Sequence, residues 1–204
     1  MIRMEVQEGS LKEIERKLGN LDKNGRTVLK KAVNETAKSA KRALAIKAKN
    51  TYTVKKANFN AEMKITSAKV GAPEAIITAA GEPLPLINYK VSAGKKGTKV
   101  QVLKQGSLKE LKYSRGDIKA FVNNIAKKGQ VRKRDTAKGA KGSAVIHKAV
   151  AQREGEARLS INEKFGNSIP AMLASKKVFG EEQDSIRNML KENLYKHIKQ
   201  MMEG

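Results

Sequence analysis

The chain has 204 residues, with 43 lysines and arginines against 20 aspartates and glutamates, which gives a formal net charge of +23. Hydrophobic residues make up 39% and aromatic residues 4%, so we expect a lean core of Ala, Val, Ile, Leu and Met. The absence of cysteine excludes disulfides and thiolate metal sites. The sequence has no run of about 18 apolar residues and no visible secretory signal, which predicts a protein made in the cytoplasm without a membrane span. Its charge favours polyanions or acidic protein surfaces as partners.

The N-terminal segment, residues 1–60, is predicted to be helical. Ser10 is a suitable N-cap for a helix beginning at residue 11. Between residues 26 and 49, apolar side chains recur at steps of three and four residues, namely Leu29, Val33, Ala37, Ala40 and Leu44. This spacing predicts a long amphipathic helix with a narrow buried stripe and Lys-rich remaining faces.

The central segment, residues 61–175, is predicted to be rich in strands. Short runs of β-forming residues lie between glycine-containing turns, at 61–68, 74–79, 99–103, 108–113, 118–125 and 144–150. Gly106 marks a hairpin turn between the third and fourth of these runs, and Gly94 and Gly97 mark another turn. The polar stretch 127–143 is predicted to be an exposed loop.

The C-terminal segment, residues 176–204, is predicted to form a helix over about 177–202. Its apolar face consists of Ile186, Met189, Leu190, Leu194, Ile198 and Met201. We expect this face and the N-terminal stripe to be at least partly buried. The order of elements predicts an α+β fold of one domain overall, with a central, mostly antiparallel sheet flanked by a long N-terminal helix and a long C-terminal helix.

The sequence contains no recognisable catalytic constellation. The two histidines, His147 and His197, lack metal-ligand spacing and are expected to pack or to be solvated. Phosphate-binding loops, dinucleotide-binding turns and nucleophile elbows are absent, and the acidic residues are scattered. We therefore expect a protein that is not an enzyme, with no catalytic residue, no cofactor and no metal.

The most concentrated charge lies between residues 127 and 141. Asp135 is the only acidic residue there, against seven basic residues: Lys127, Lys128, Arg132, Lys133, Arg134, Lys138 and Lys141. Such a run contacts phosphates without reading sequence, meets an acidic protein neighbour, or is simply solvated. No aromatic residues accompany the run, which argues against base stacking.

Three pieces of the chain, in order, resemble the phage minor tail protein Z, or tail-completion, family. The first is the helix at 28–49 with the following TVKKA at 53–57. The second consists of PLINY at 85–89, KVQV at 99–102 and AFV at 120–122. The third spans 152–172 and is similar to the family signature R-x-G-x-x-R-x-x-I…G-x-S-[IV]-P-x-M. Its matching residues are Arg153, Gly155, Arg158, Ile161, Gly166, Ser168, Ile169, Pro170 and Met172.

The resemblance covers about residues 28–175, and the order and spacing of the pieces carry it. It implies a structural protein of a bacteriophage or prophage tail, assembled in the host cytoplasm and acting at the head-proximal end of the virion tail in tail completion and head–tail joining. The expected partners are other tail and neck proteins, further copies of the chain in a homo-oligomeric ring, and packaged DNA contacted without sequence preference. In the family, the Ala-Phe-Val strand is usually followed fairly directly by the Arg-x-Gly segment. In this chain the basic stretch lies between the two. The alternative function is a sequence-independent nucleic-acid-binding protein, associated with the nucleoid or with ribosomes.

Overall fold

The predicted α+β class is confirmed. The computed structural model describes residues 2–5, 22–55, 57–94, 97–111, 119–131, 144–153 and 161–203. The helices in these ranges are α1 (Asp22–Thr51), α2 (Ile169–Leu173) and α3 (Glu181–Glu203), with a 3-10 helix at Leu86–Asn88 and a π-helix at Lys176–Gly180. The strands are β1 (Ile2–Glu5), β2 (Met63–Thr66), β3 (Glu74–Ala79), β4 (Pro83–Pro85), β5 (Lys90–Gly94), β6 (Gly97–Gln101), β7 (Lys109–Glu110), β8 (Phe121–Val131), β9 (Ala144–Arg153), β10 (Ile161–Glu163) and β11 (Phe165–Ser168).

The predicted central sheet is matched only in part. The described strands form four small sheets, in the orders β1-β3-β2, β10-β9-β8, β11-β4 and β5-β6-β7. Most of these strands have five or fewer residues, so each offers few backbone hydrogen bonds to a neighbour. The chain divides into two compact units, one from residues 1–51, 57–82 and 168–204 and the other from 52–56 and 83–167.

In the first unit, α1 buries the predicted apolar stripe. Leu29 and Val33 are 2% exposed, and Ala37, Ala40 and Leu44 are fully buried. These residues recur every three or four positions, so they lie on one side of a helix with 3.6 residues per turn. The described helix contains the predicted range 26–49, whereas the helix predicted from residue 11 falls outside the described residues before Asp22. The prediction of a helical segment over residues 1–60 is matched only in part, because Ile2–Glu5 forms β1 by pairing with β3 and α1 ends at Thr51.

The long C-terminal helix is also confirmed. Glu181, Glu182 and Asp184 lie in the first turn of α3, where the positive end of the helix dipole favours carboxylates. The predicted apolar face is at least partly buried along its length, and Leu190 packs against Val33 and Ala37 of α1. The helix begins four residues later than expected because the chain first forms the π-helix at Lys176–Gly180.

The sheet of the first unit places β3 between β1 and β2. Both neighbours are antiparallel to β3, with Ile2 opposite Ile77 and Ile65 opposite the same residue on the other side. Asn34 of α1 joins the helix to the turn after β2, since its side-chain amide accepts from Ala68 N at 2.7 Å and donates to Ala68 O at 3.2 Å. Ala68 is 2% exposed, so this amide pairs two backbone groups that water barely reaches.

The second unit contains the hairpin predicted around Gly106, and a second hairpin at the position of the predicted turn between Gly94 and Gly97. Strands β5 and β6 are antiparallel with Gly94 opposite Gly97, and β6 continues to β7 around the predicted turn at Gly106. The strand predicted at 108–113 is shorter than expected, since β7 contains Lys109 and Glu110 alone. Within the described ranges, no helix has the length and apolar character needed to cross a membrane.

The prediction of a loop over 127–143 is wrong at its start. Strand β8 continues to Val131, so the backbone of Lys127 and Lys128 belongs to a strand. Pairing with β9 is regular as far as Ala126 opposite Ile146 and resumes with Val131 opposite Ala144. Because four residues of β8 thus face a single residue of β9, the intervening part is a wide bulge. The available partner strand therefore outweighs the low strand preference of Lys and Gly.

Candidate functional site

Parts of the three pieces that carry the family resemblance meet in the second unit. Thr53, from the first piece, donates its backbone N–H to Val102 O at 3.0 Å, and its hydroxyl donates to Gln101 O. Lys55 N donates to Asn88 O at 2.9 Å, so the same short segment also reaches the second piece at its other end. These bonds join stretches that lie 33 to 49 residues apart in the chain.

Tyr89 joins the second piece to the third. Its side chain is fully buried, and its hydroxyl donates to Asn167 O at 3.0 Å. The ring lies against Gly166, where an added β-carbon would stand 2.8 Å from Cε2, Cζ and Oη of Tyr89. Leu86 N donates to Lys164 O at 2.9 Å, which ties the residue just after β4 to the residue just before β11. We call the set Thr53, Lys55, Asn88, Tyr89, Gly166 and Asn167 the Tyr89 junction.

The chemistry of the Tyr89 junction is that of a packed connection. Burial raises the pKa of Tyr89 to about 12, with a further contribution from Tyr52. The phenol is therefore neutral at physiological pH and serves as a hydrogen-bond donor. Its oxygen is held by a backbone carbonyl and is not adjacent to a described basic side chain that could activate it.

The family-signature residues have different structural roles. Ser168 caps α2, since its Oγ accepts from Ala171 N at 3.4 Å, and Pro170 occupies the first turn, where its fixed φ suits a helix. Ile169 and Met172 are 5% and 0% exposed, so they are core residues of the first unit. The segment that leads towards the last helix is thus a capped short helix.

Arg153 and Ile161 lie opposite each other on β9 and β10, and both are exposed. Gly155 and Arg158 lie outside the described residues.

Of the seven basic candidate residues, two lie within the residues that the structure describes and five lie outside them. The backbone of Lys127 and Lys128 lies in the bulged part of β8. Arg132, Lys133, Arg134, Lys138 and Lys141 lie outside the described residues. Strands β8 and β9 are antiparallel, and their pairing is regular from Phe121 opposite Ala151 to Ala126 opposite Ile146. Of the basic segment, the structure thus describes only the backbone of Lys127 and Lys128, on β8 just beyond this regular part.

Both histidines are bound to carboxylates. His147 Nε2 lies 3.0 Å from Glu163 Oε2, while His147 Nδ1 and Glu163 Oε1 are buried without a described hydrogen-bond partner. In the first unit, His197 Nε2 lies 2.7 Å from Glu35 Oε2. In the part of the chain that the structure describes, no group of three potential metal ligands occurs.

A polar cluster on α1 and α3 was not predicted from the sequence. Lys196 Nζ donates to Glu35 Oε1 at 2.8 Å, and Asn193 Nδ2 donates to Thr36 Oγ1 at 2.9 Å. The hydrogen bond from Lys196 and then that from His197 lower the pKa of Glu35 below its ordinary value. The sequence pattern did not indicate this cluster, because the residues of α1 and their partners on α3 lie more than 150 positions apart in the chain.

An open pocket of about 640 Å³ lies in the second unit, and its lining is mostly apolar. Leu86, Val102 and Leu103 contribute to its wall, and Lys109 and Glu110 are its ionisable members.

No protein-family model, curated protein or solved structure matches the chain. The functional proposal therefore rests on the motif resemblance and on the geometry of the Tyr89 junction and the β8–β9 hairpin. Gly166 was named from the sequence as a residue of the family signature, and its contact with Tyr89 was not predicted. The sequence offered one indication of this contact, which is that Tyr89 and Gly166 both lie in pieces that resemble the same family.

Proposed function

We propose that this chain is a non-enzymatic structural protein of a bacteriophage or prophage tail, acting at the head-proximal end in tail completion and head–tail joining. The observation that carries the proposal is that parts of all three resembling pieces meet at the Tyr89 junction through backbone hydrogen bonds and close packing.

The nature of that junction supports a structural role. Its hydrogen bonds are made by backbone groups, Thr53 Oγ1 and a neutral phenol. Such groups fix the relative position of chain segments and do not move protons readily at physiological pH. A protein that supplies a shaped, rigid body to an assembly needs this kind of connection.

The proposed assembly is a homo-oligomeric ring bound to other tail and neck proteins. Tail tubes are symmetric, and a small protein caps a symmetric end most simply by repetition. The net charge of +23 opposes the approach of copies in solution, so the ring forms on the tail and not in the free protein. Sixfold symmetry is the simplest form of this proposal.

The basic residues between 127 and 141 are proposed to contact a protein neighbour in the particle. The absence of aromatic residues between 127 and 141 removes the stacking part of nucleic-acid binding. Replacing Arg132, Lys133 and Arg134 with Ala should then block head–tail joining while the salt dependence of DNA binding stays unchanged. A loss of about three units from the slope of log K against log salt would instead assign these residues to DNA.

Deletion of the gene from a phage or prophage that encodes this chain tests the tail function. We expect separate heads and tails by electron microscopy, rescue by the wild-type protein in trans, and antibody label at the head-proximal end of tails. Normal particles from the deletion would overturn the proposal. Label that follows the nucleoid or ribosomes would favour the nucleic-acid-binding alternative, and a single copy per purified tail by quantitative mass spectrometry would exclude the ring.

A further inference from the structure

Four basic residues form a straight row on the exposed side of α1. Lys31, Lys38, Arg42 and Lys49 are separated by seven, four and seven residues, and all four are exposed. With 3.6 residues per turn, a step of seven residues rotates about the helix axis by about 20° less than two full turns. A step of four residues rotates by about 40° more than one full turn. The four side chains therefore begin within a sector of about 40°, opposite the buried Val33, Ala40 and Leu44. We call this set the α1 row.

The α1 row is not a charge-balanced solvent face. Lys38 and Arg42 stand at i and i+4, where like charges destabilise a helix and where a glutamate would ordinarily balance a lysine. The nearest acidic residue on α1 is Glu35, whose carboxylate is bound by Lys196 and His197 of α3. None of the four cations has an ion pair with a described residue.

The dimensions of the α1 row suit an extended array of phosphates. From residue 31 to residue 49 the helix rises about 27 Å, at 1.5 Å per residue. Duplex DNA advances 3.4 Å per base pair, so the row covers about eight base pairs. Ala45 is a short side chain next to the row and half-buried, which leaves room for a backbone to approach Arg42 and Lys49.

An apolar protein contact fits this surface less well. Protein interfaces have a core of aromatic and other apolar side chains. Between residues 25 and 51, where side chains of α1 are described, the one exposed large hydrophobic residue is Ile46, at 62%. Isolated beside four cations, it does not make an apolar core.

We propose that the α1 row is a sequence-independent contact surface for the phosphate backbone of duplex DNA. The surface is distinct from the basic segment at 127–141, because it lies in the first unit and is formed wholly by α1. The proposal does not rest on the tail function, and a protein of either functional class would use it in the same way: lysine and arginine replace condensed counterions along the duplex and read no bases.

The test measures binding of the full-length protein to a fluorescein-labelled 20-base-pair duplex of arbitrary sequence over a series of salt concentrations. In the row variant, Lys31, Lys38, Arg42 and Lys49 are all changed to Gln. In the control variant, the exposed Lys64, Lys69, Lys176 and Lys177 of the same unit are changed to Gln, which removes the same charge. The slope of log K against log salt should fall by up to about 3.6 units in the row variant, near 0.9 for each lost phosphate contact, and much less in the control.

Equal slopes in the two variants would overturn the proposal, as would the absence of duplex binding by the wild-type chain at low salt. Polyglutamate competing as well as unlabelled duplex at equal charge would assign the row to an acidic polypeptide and would likewise overturn it. The double variant Lys38→Gln/Arg42→Gln guards against misfolding, because it relieves a like-charge pair. It should unfold at no lower urea concentration than the wild type and should lose up to about 1.8 units of slope. None of these failures bears on head–tail joining.

Discussion

The ring of Tyr89 lies directly on the backbone of Gly166, with room for a hydrogen atom but not for a methyl group. A β-carbon at residue 166 would be 2.8 Å from three ring atoms of a side chain that is itself fully buried. The Tyr89 hydroxyl is held by Asn167 O, so the ring cannot swing away without losing that bond. Glycine at 166 is therefore required by a neighbour 77 residues away, while its own backbone has no unusual conformation.

Gly166→Ala should destabilise the protein. Insertion of a methyl group into this contact forces the ring or strand β11 to shift, and such overpacking costs about 1–3 kcal/mol. The free energy of unfolding from urea titration, followed by circular dichroism, measures the change. The variant Tyr89→Phe separates the contribution of the hydrogen bond from that of the ring contact, since it removes the hydrogen bond to Asn167 O and leaves the ring in place.

Gly94→Ala is the matched control for this prediction. Gly94 lies at an exposed hairpin end of the same unit, and an added β-carbon there would meet nothing within 4 Å. Its free energy of unfolding should stay within about 0.5 kcal/mol of the wild type, as for most surface substitutions. Equal midpoints for Gly166→Ala and Gly94→Ala would show that the Tyr89 contact does not constrain residue 166.

Leu190→Asp should loosen the pairing of α1 with α3. Leu190 is partly buried and packs against Val33 and Ala37, so a carboxylate there would be desolvated without a partner. We expect a loss of about 2–4 kcal/mol in the free energy of unfolding. Tyr195→Asp adds the same charge to the same helix at a site that is 72% exposed and should change stability little. Comparable losses from both substitutions would point to helix propensity as the cause.

The sequence predicted those features of the fold that depend on neighbouring residues. The apolar stripe of α1 follows from a spacing of three and four residues, and β3 coincides with the predicted range 74–79. The hairpin around Gly106 follows from two strand-forming runs with a turn between them. Each of these is encoded within a window of about 10 to 20 residues.

Pairing between distant segments was not predictable in the same way. Strand β1 pairs with β3 across more than 70 residues, and β4 lies beside β11 across about 80. Strands of three or four residues carry too little alternation to specify a partner, so a single sheet and four small ones were equally compatible with the pattern. The candidate site shows the same limit. Tyr89 and Gly166 each appeared within a motif, but only the folded chain brings them together.

Asn34→Ala should cost about 1–3 kcal/mol of folding free energy. The Asn34 side chain pairs both the N–H and the C=O of Ala68, and Ala68 is 2% exposed, so truncation leaves two backbone groups with poor access to water. Hydrogen exchange at the Ala68 amide should accelerate along with the loss measured by urea titration. Asn188→Ala, on the exposed side of α3, is the control and should be nearly neutral. An unchanged exchange rate at Ala68 would mean that the observed pairing contributes nothing.

Glu35→Gln should lower stability in a pH-dependent manner. Hydrogen bonds from Lys196 and then His197 lower the pKa of Glu35 below 4.5, so the carboxylate is favoured in the folded state. A lowered folded pKa contributes stability above the unfolded pKa, and that contribution disappears as the pH falls through the folded value. Because the side chain is 38% exposed, we expect about 0.2–1 kcal/mol at pH 7. The free energies of unfolding of the wild type and Glu35→Gln, from urea titrations, should therefore converge as the pH falls from about 5 towards about 2.

Glu203→Gln is the control, because it breaks an exposed pair with Lys199. Its free energy of unfolding should nearly equal that of the wild type at every pH, so no convergence should be seen. If the difference in free energy of unfolding between the wild type and Glu35→Gln grew as the pH fell, the Glu35 carboxylate would be excluded as the source of that difference.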